Sequence, residues 1–252
     1  YWSLLNLFWI FIGFLLLTAC TPKVWHTSGV YHANTRIYNE TITDDVAMLM
    51  LIQPYKQLEE SKMKTIVGMT QTQLIKAKPE SPLTNMLADM VQASVMLKTN
   101  DKIDATFINY GGVRLGALPE GEISLGKIYE LMPFDNMAVI LRISGAQLQT
   151  FCNHIAKSGG WPVSKSIRFE IKNQQAANIT IHGNGLDPDK IYRICVPDYV
   201  ANGGDDCSFL TAIPQTTYQY LLRDAILDGF KRVSQDGGKV ESSNDGRITT
   251  SN

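Results

Sequence analysis

Apolar residues recur at helical spacing in several stretches of the chain. Between residues 44 and 63, Val46, Leu49, Met50, Ile52 and Leu58 alternate with Gln, Lys and Glu, and Asp44 or Asp45 can accept hydrogen bonds from the free N–H groups of a first turn. Pro54 interrupts this stretch and predicts a kink or a late helix start. Residues 82–98 predict a second helix: Ser81 can cap it, Pro82 suits its first turn, and Met86, Leu87, Met90, Val91, Ser94 and Val95 form one stripe. Residues 145–157 and 218–228 read as further helices, and 125–132 as a short one stopped by Pro133. Strands are predicted at 65–69, 105–109, 137–143, 166–171, 178–182 and 192–196, with Asp187-Pro188-Asp189 as the turn before the last. From Ser234 onward the chain is rich in Gly, Ser and Asp and is expected to be loose. Strands and helices interleave irregularly, which predicts an α+β fold and excludes a doubly wound sheet.

Ahead of this body, residues 4–17 form an almost unbroken apolar run that leads to Leu17-Thr18-Ala19-Cys20. A run of that length with small residues at its end reads as the core of a signal peptide. A Cys directly after Leu-Thr-Ala resembles the lipobox of bacterial lipoproteins, which implies cleavage before Cys20 and acylation of its thiol. The expected organisation is a signal peptide over 1–20, a polar tether over 21–43, the folded body over 44–233 and a tail over 234–252. The expected location is the bacterial cell envelope, outside the cytoplasm (periplasmic or surface-facing), tethered to a membrane by a lipid anchor, with an uncleaved apolar anchor as the alternative. Cys152, Cys195 and Cys207 then lie in a compartment that permits disulfides, yet their spacing resembles no zinc site. They are expected to be buried small side chains with one optional bridge.

The charge balance narrows the partners. With 23 basic against 24 acidic residues, the net charge is −1, so no field draws nucleic acid and any phosphate recognition must come from placed residues. Two segments break the bland pattern. One is Asn109-Tyr110-Gly111-Gly112-Val113-Arg114, followed by Leu131-Met132-Pro133-Phe134-Asp135-Asn136; the other is Pro197-Asp198-Tyr199-Val200-Ala201-Asn202-Gly203-Gly204-Asp205. Each puts paired glycines soon after a predicted strand, where the backbone can turn sharply or let a ligand approach. Arg114 can fork onto a phosphate, Asp205 can accept hydrogen bonds from sugar hydroxyls, and Phe134 and Tyr199 offer flat faces for a ring. That combination describes a nucleotide pocket.

Together these motifs resemble the C-terminal domain of the 5′-nucleotidase family, which includes UDP-sugar hydrolases and 2′,3′-cyclic phosphodiesterases. The resemblance runs from about residue 44 to 210 and includes Gly145-Ala146-Gln147-Leu148 after the strand and the approach Leu186-Asp187-Pro188-Asp189-Lys190-Ile191-Tyr192-Arg193 to the last loop. It implies mixed sheets with flanking helices. It also implies that Phe134 and Tyr199 sandwich a base, that Asn109 and Arg114 meet the ribose or phosphate side, and that Gly111 and Gly112 belong to the substrate-binding set. Asn136 would contact the base edge, while Asp205, carried on Gly203 and Gly204, would accept from the ribose. One departure is visible: family members carry an Arg just before the first helix of this domain, where Lys76-Ala77-Lys78-Pro79-Glu80 offers point charges instead of a bidentate fork.

In that family the chemistry belongs to a separate two-metal phosphoesterase domain, in which paired ions clamp the attacking and leaving oxygens. The histidines of this sequence are His26, His32, His154 and His182, and none stands in an Asp-x-His, Asn-His-Glu or His-x-His arrangement. No Gly-x-Ser-x-Gly elbow is present, and Cys152 and His154 lie two apart on a predicted helix, where they do not face one another. We therefore expect no catalytic residue, metal ligand or resident cofactor in this chain, with divalent metals confined to a metallophosphoesterase partner chain. The leading reading is the nucleotide- or nucleoside-recognition half of a split 5′-nucleotidase-type hydrolase. The alternative is a free-standing nucleotide- or nucleoside-binding lipoprotein.

Overall fold

Asp45 opens the first helix, α1 (Val46–Met63), by accepting hydrogen bonds from the N–H groups of Ala47 (2.9 Å) and Met48 (3.2 Å). Pro54 sits inside α1, so of the two expected outcomes the late start does not occur, and the helix runs on past it. The structure, a computed structural model, describes residues 44–251. The chain divides into two units, Tyr1–Leu51 and Ile52–Asn252. The signal peptide, the acylated Cys20 and the tether over 21–43 lie outside the described residues. Among the described residues, no helix is long and apolar enough to cross a membrane.

After the end of α1 the second unit continues with two short strands, β1 (Ile66–Thr70) and β2 (Leu74–Ile75), and then α2 (Pro82–Thr99). Ser81 caps α2 with Pro82 in its first turn, as the sequence predicts, and Thr84 makes the cap a reciprocal capping box. After it come β3 (Ala105–Thr106), β4 (Ala117–Leu118), β5 (Gly121–Ser124) and α3 (Leu125–Leu131), whose N-cap Ser124 accepts from the N–H of Lys127. β6 (Met137–Ser144) runs straight into α4 (Gly145–Lys157), where Ser144 and Gln147 repeat the capping box. Then follow β7 (Ile167–Lys172), β8 (Gln175–Ile181), β9 (Asn184–Gly185), β10 (Ile191–Pro197) and the one-turn α5 (Asp198–Ala201). β11 (Gln215–Leu221), α6 (Leu222–Gln235) and β12 (Ile248–Ser251) complete the unit.

The central sheet has the order β11-β6-β10-β3, with β10 parallel to β3 and antiparallel to β6. Side chains alternate across a strand, so this sheet divides the core in two. Val139, Leu141 and Ile143 of β6 face one cluster with Phe151 and Ile155 of α4, and beyond them Ile167 and Phe169 of β7. Ala138 and Ile140 of the same strand face the other, with Leu87 and Val91 of α2 and Ile226 and Phe230 of α6. The second sheet, β12-β7-β8-β9, mixes a parallel β12–β7 pair with antiparallel neighbours, and two-stranded pairs β1–β5 and β2–β4 complete an α+β fold. Cys152, Cys195 and Cys207 are free and buried, and burial pushes the Cys195 and Cys207 thiols up to about 12, with Asp205 and Asp206 adding to the effect on Cys207.

Two expectations are corrected. The helix expected over 218–228 begins at Leu222; Tyr218 to Leu221 belong to β11, which hydrogen-bonds along the free edge of β6. Thr216, Thr217, Tyr218 and Tyr220 are β-branched or aromatic, and that pleated pairing suits them better than a helix. The segment after Ser234 is not loose. Val240 bridges to Thr70, Arg247 and Ile248 are buried, and β12 lies parallel to β7.

Candidate functional site

The strand order brings three chain segments to one edge of the central sheet. β3 and β10 run parallel, pairing Thr106 with Cys195, while β6 runs against β10 and pairs Ala138 with Pro197. The ends of β3 and β10 and the start of β6 therefore share a side, where loops leaving strand ends commonly build ligand sites. Asn109, Gly111, Gly112 and Arg114 follow β3, Phe134 and Asn136 precede β6, and Tyr199 and Asp205 follow β10. These eight residues line one cavity of about 330 Å³. Of the ten binding residues nominated from sequence, Gly203 and Gly204 do not line it; they shape the turn that carries Asp205.

Asp205 ties the walls together. Gly203 (φ 95°) and Asp205 (φ 50°, ψ 43°) both take left-handed backbone, which turns the Asp205 carboxylate back over the loop. Its Oδ2 accepts from Asn109 Nδ2 at 2.7 Å and its Oδ1 from the Tyr199 hydroxyl at 3.2 Å, while its own N–H donates to that hydroxyl oxygen at 3.3 Å. The two aromatic side chains are not core residues. Phe134 is 42% and Tyr199 47% exposed, and both line the cavity. The Arg114 guanidinium stands 5.6 Å from the Phe134 ring centroid and reaches the Gly111 carbonyl at 3.4 Å.

Two glycines are demanded by close approach. A Cβ on Gly112 would lie 2.8 Å from Asn109 Oδ1, and one on Gly204 would lie 2.4 Å from the Tyr199 ring. Tyr199 thus rests directly on the Gly204 backbone. We expect Gly204→Ala to displace the Tyr199 ring, weakening ligand binding about tenfold or more while the melting temperature moves only a few degrees. Ligand titration beside a thermal melt checks this; an unchanged affinity would mean the ring is not a contact surface.

Three neighbouring residues are not singled out by sequence reasoning. His154 Nε2 lies 2.9 Å from the Asp205 carbonyl oxygen, a hydrogen bond that requires the proton on Nε2. Its ring meets Trp161 and Phe209 edge-on at 5.9 and 5.7 Å, so it braces the Asp205 turn from α4. A histidine on a helix carries no sequence signal of that role. Asp198 accepts from the N–H groups of Tyr199 (2.8 Å) and Met137 (3.1 Å), joining the α5 turn to the start of β6. Lys76, noted only as a family departure, donates to the Val113 carbonyl at 2.6 Å and lies 3.9 Å over the Tyr110 ring. Burial holds its ammonium below the ordinary lysine value, and the charges of Arg114 and Lys78 add to that. Lys78 also stands over Tyr110, at 4.7 Å, and donates to the Ser158 carbonyl. The Gly111-Gly112 turn is therefore flanked by three cations. Among the described residues, no group of three or more His, Cys, Asp or Glu side chains is placed to hold a metal ion.

A family profile described as the C-terminal domain of 5′-nucleotidase matches residues 62–212. The chain belongs to this family. Among curated proteins it is 26% identical to Protein UshA of Yersinia enterocolitica over 183 residues, covering 70% of this chain and 32% of that protein. It is 27% identical to the 5′-nucleotidase of Vibrio vulnificus over 186 residues, covering 71% and 33%. Among solved structures it resembles the 5′-nucleotidase precursor of Thermus thermophilus, with a TM-score of 0.68 at 22% identity over 84% of this chain and 45% of that one. It also resembles the NAD nucleotidase of Haemophilus influenzae, with a TM-score of 0.63 at 16% identity over 82% and 42%. These structural likenesses establish the fold. The chain spans about a third of the length of the curated relatives it matches.

Proposed function

We propose that the cavity binds a nucleotide or nucleoside, and that the domain presents it to a metallophosphoesterase unit. The observation that carries this reading is the convergence of two exposed aromatic faces, Phe134 and Tyr199, with a carboxylate and a guanidinium around one cavity of about 330 Å³. The base stacks between the rings, Asn136 meets its edge, Asp205 accepts from the ribose, and Arg114 with Asn109 takes the ribose or phosphate side. Lys76 is committed to the Val113 carbonyl, so it adds positive potential there rather than a free fork. Metals and bond cleavage come from outside these residues, whose sequence carries no dimetal motif. We place that centre on a separate chain, and this chain in the bacterial envelope through a lipid on Cys20.

Stacking contributes about 1–3 kcal/mol per base and a charge-assisted hydrogen bond about 1.5–3 kcal/mol, against the costs of association and ordering. The isolated domain should then bind AMP on the order of 0.1–1 mM. Phe134→Ala and Tyr199→Ala are each expected to weaken AMP binding about tenfold in calorimetric or chemical-shift titrations. The full chain isolated from its own envelope should carry a metal-dependent phosphate-releasing activity towards nucleotides that Tyr199→Ala depresses. Binding without any such associated activity would favour the free-standing binding protein instead. No saturable binding of AMP, adenosine or a nucleotide sugar would overturn the reading altogether.

A further inference from the structure

Phe134 lies on a loop that needs something to hold it. Residues 132–136 connect α3 to β6; Met132 is buried in the core, but Pro133, Phe134 and Asp135 beyond it are exposed, so the part that carries the ring gains little from burial of its own side chains. It is held instead from the far end of the chain. Arg223, in the first turn of α6, has a side chain only 7% exposed. Its Nη1 donates to the carbonyls of Met132 and Phe134, both at 3.3 Å, and its Nη2 to Asp135 Oδ1 at 2.5 Å. Its guanidinium also lies 4.2 Å over the Tyr129 ring at the end of α3. One residue earlier, the Leu222 N–H donates to the Asn136 carbonyl at 2.9 Å. The junction of β11 and α6 thus engages every residue of the loop except Pro133.

We infer that Arg223 is a positioning residue for the ligand site: it fixes the backbone on which Phe134 presents its ring. The guanidinium suits the task because its planar fork can serve two carbonyls and a carboxylate at once, which a lysine ammonium cannot do in one geometry. Arg223 lies outside residues 62–212, the segment that matches the family profile, so the device belongs to the part of the chain that follows it. Two carbonyl acceptors on the loop and an exposed Asp135 carboxylate make the clamp local. Its loss should loosen the loop without dissolving the core beneath it. The consequence for affinity rests on the nucleotide reading of the cavity; the consequence for the loop does not.

The test uses the full chain with 4-fluorophenylalanine at position 134, and a second preparation with the label at Phe209, whose ring packs against His154 and Phe151. Arg223→Gln and Asp135→Asn are expected to shift or broaden the fluorine resonance at 134 and leave that at 209 in place. Arg223→Lys, which keeps the charge and one hydrogen bond, should recover part of the shift. In unlabelled protein, Arg223→Gln should raise the AMP dissociation constant about tenfold, with Arg223→Lys between it and the parent. A resonance at 134 that is unchanged in both Arg223→Gln and Asp135→Asn, whatever the melting temperature does, overturns the inference. Should Arg223→Gln fail to fold, the exposed Asp135→Asn and the lysine variant still decide it. A resonance that moves in a protein that never binds AMP would leave the clamp standing and remove the nucleotide reading; AMP binding with an immobile resonance would do the reverse.

Discussion

Arg247→Met is expected to destabilise the protein by about 3 kcal/mol, although it changes one side chain in what looks like a polar tail. Arg247 is 3% exposed. Its Nη1 and Nη2 fork onto Asp89 at 3.0 Å each, and Nε and Nη2 onto Asp245 at 3.0 and 2.8 Å. Nη1 also donates to the Val163 carbonyl at 2.8 Å, and the backbone N–H of Arg247 donates to Glu80 at 3.0 Å. Breaking a buried pair from one side costs about 3–5 kcal/mol, because the remaining charge stays desolvated. The lower end applies here, since Asp89 and Asp245 keep side-chain exposures of 31% and 32% and water can partly screen them. In a domain of this size each kcal/mol lowers the melting temperature by about 2–4 °C, so a fall of about 6–12 °C is expected in a thermal melt. A melt within a degree or two of the parent would mean that the segment is not bolted to the body.

The same cluster sets a pH dependence. Burial pulls the Asp245 carboxyl upward, but hydrogen bonds and charge from Arg247, with the charge of Arg168, outweigh it and hold it below its ordinary value of 3.8. A group whose folded pKa is depressed contributes stability that is complete above the unfolded value and is lost as pH falls through the folded one. The Asp245 contribution should therefore be flat at neutral pH and disappear only below about pH 4. In Arg247→Met that acid-side loss should shrink.

This cluster also shows where sequence reading stops. α2 is legible because its signals are local: Ser81 and Pro82 stand within one turn of the apolar stripe they start, and the capping partners Thr84 in α2 and Ser144 with Gln147 at α4 emerge only in the structure. The candidate site is legible for a different reason, the order and spacing of several motifs that together resemble the family. Paired glycines just after strands, taken one at a time, are ordinary turns; read together in order they mark the site, and the strand order then carries all three segments to one edge. Nothing local marks the tail. Ile248 pairs with Phe169, and Arg247 finds Asp89, across most of the domain, and a stretch such as Gly237 to Asp245 reads as linker until those partners are known. The end of β11 reads as helix because Tyr218, Leu221 and Leu222 also fit a helical stripe; the free edge of β6, invisible in the sequence, decides it. Arg223 and His154 share that invisibility, since an arginine or histidine on an amphipathic helix has no mark that distinguishes a brace from a surface residue.

Asp205→Ala is expected to have the largest effect within the cavity. The substitution removes the acceptor shared by Asn109 Nδ2 and the Tyr199 hydroxyl, so the loops after β3 and β10 lose the atom that joins them. It also places an alanine at φ 50°, where a side chain without a local hydrogen bond costs about 1–2 kcal/mol. On the nucleotide reading, the carboxylate accepts from the ribose diol as well, and a hydrogen bond to a charged group contributes about 1.5–3 kcal/mol. AMP affinity should fall about 100-fold, which would carry binding beyond the reach of a millimolar titration. Asp205→Asn separates these contributions. Asparagine tolerates left-handed backbone and its amide oxygen can still accept one hydrogen bond, so the walls should stay joined and the loss should be nearer tenfold. The decisive ligand is 2′,3′-dideoxyadenosine monophosphate, which keeps base and phosphate but has no diol. The parent protein should bind it about as weakly as Asp205→Asn binds AMP, and Asp205→Asn should make that weak binding no worse, because the contact is already gone. If the parent binds AMP and its dideoxy analogue equally well, the carboxylate does not read the sugar, and its role reduces to holding Tyr199 and Asn109 in place.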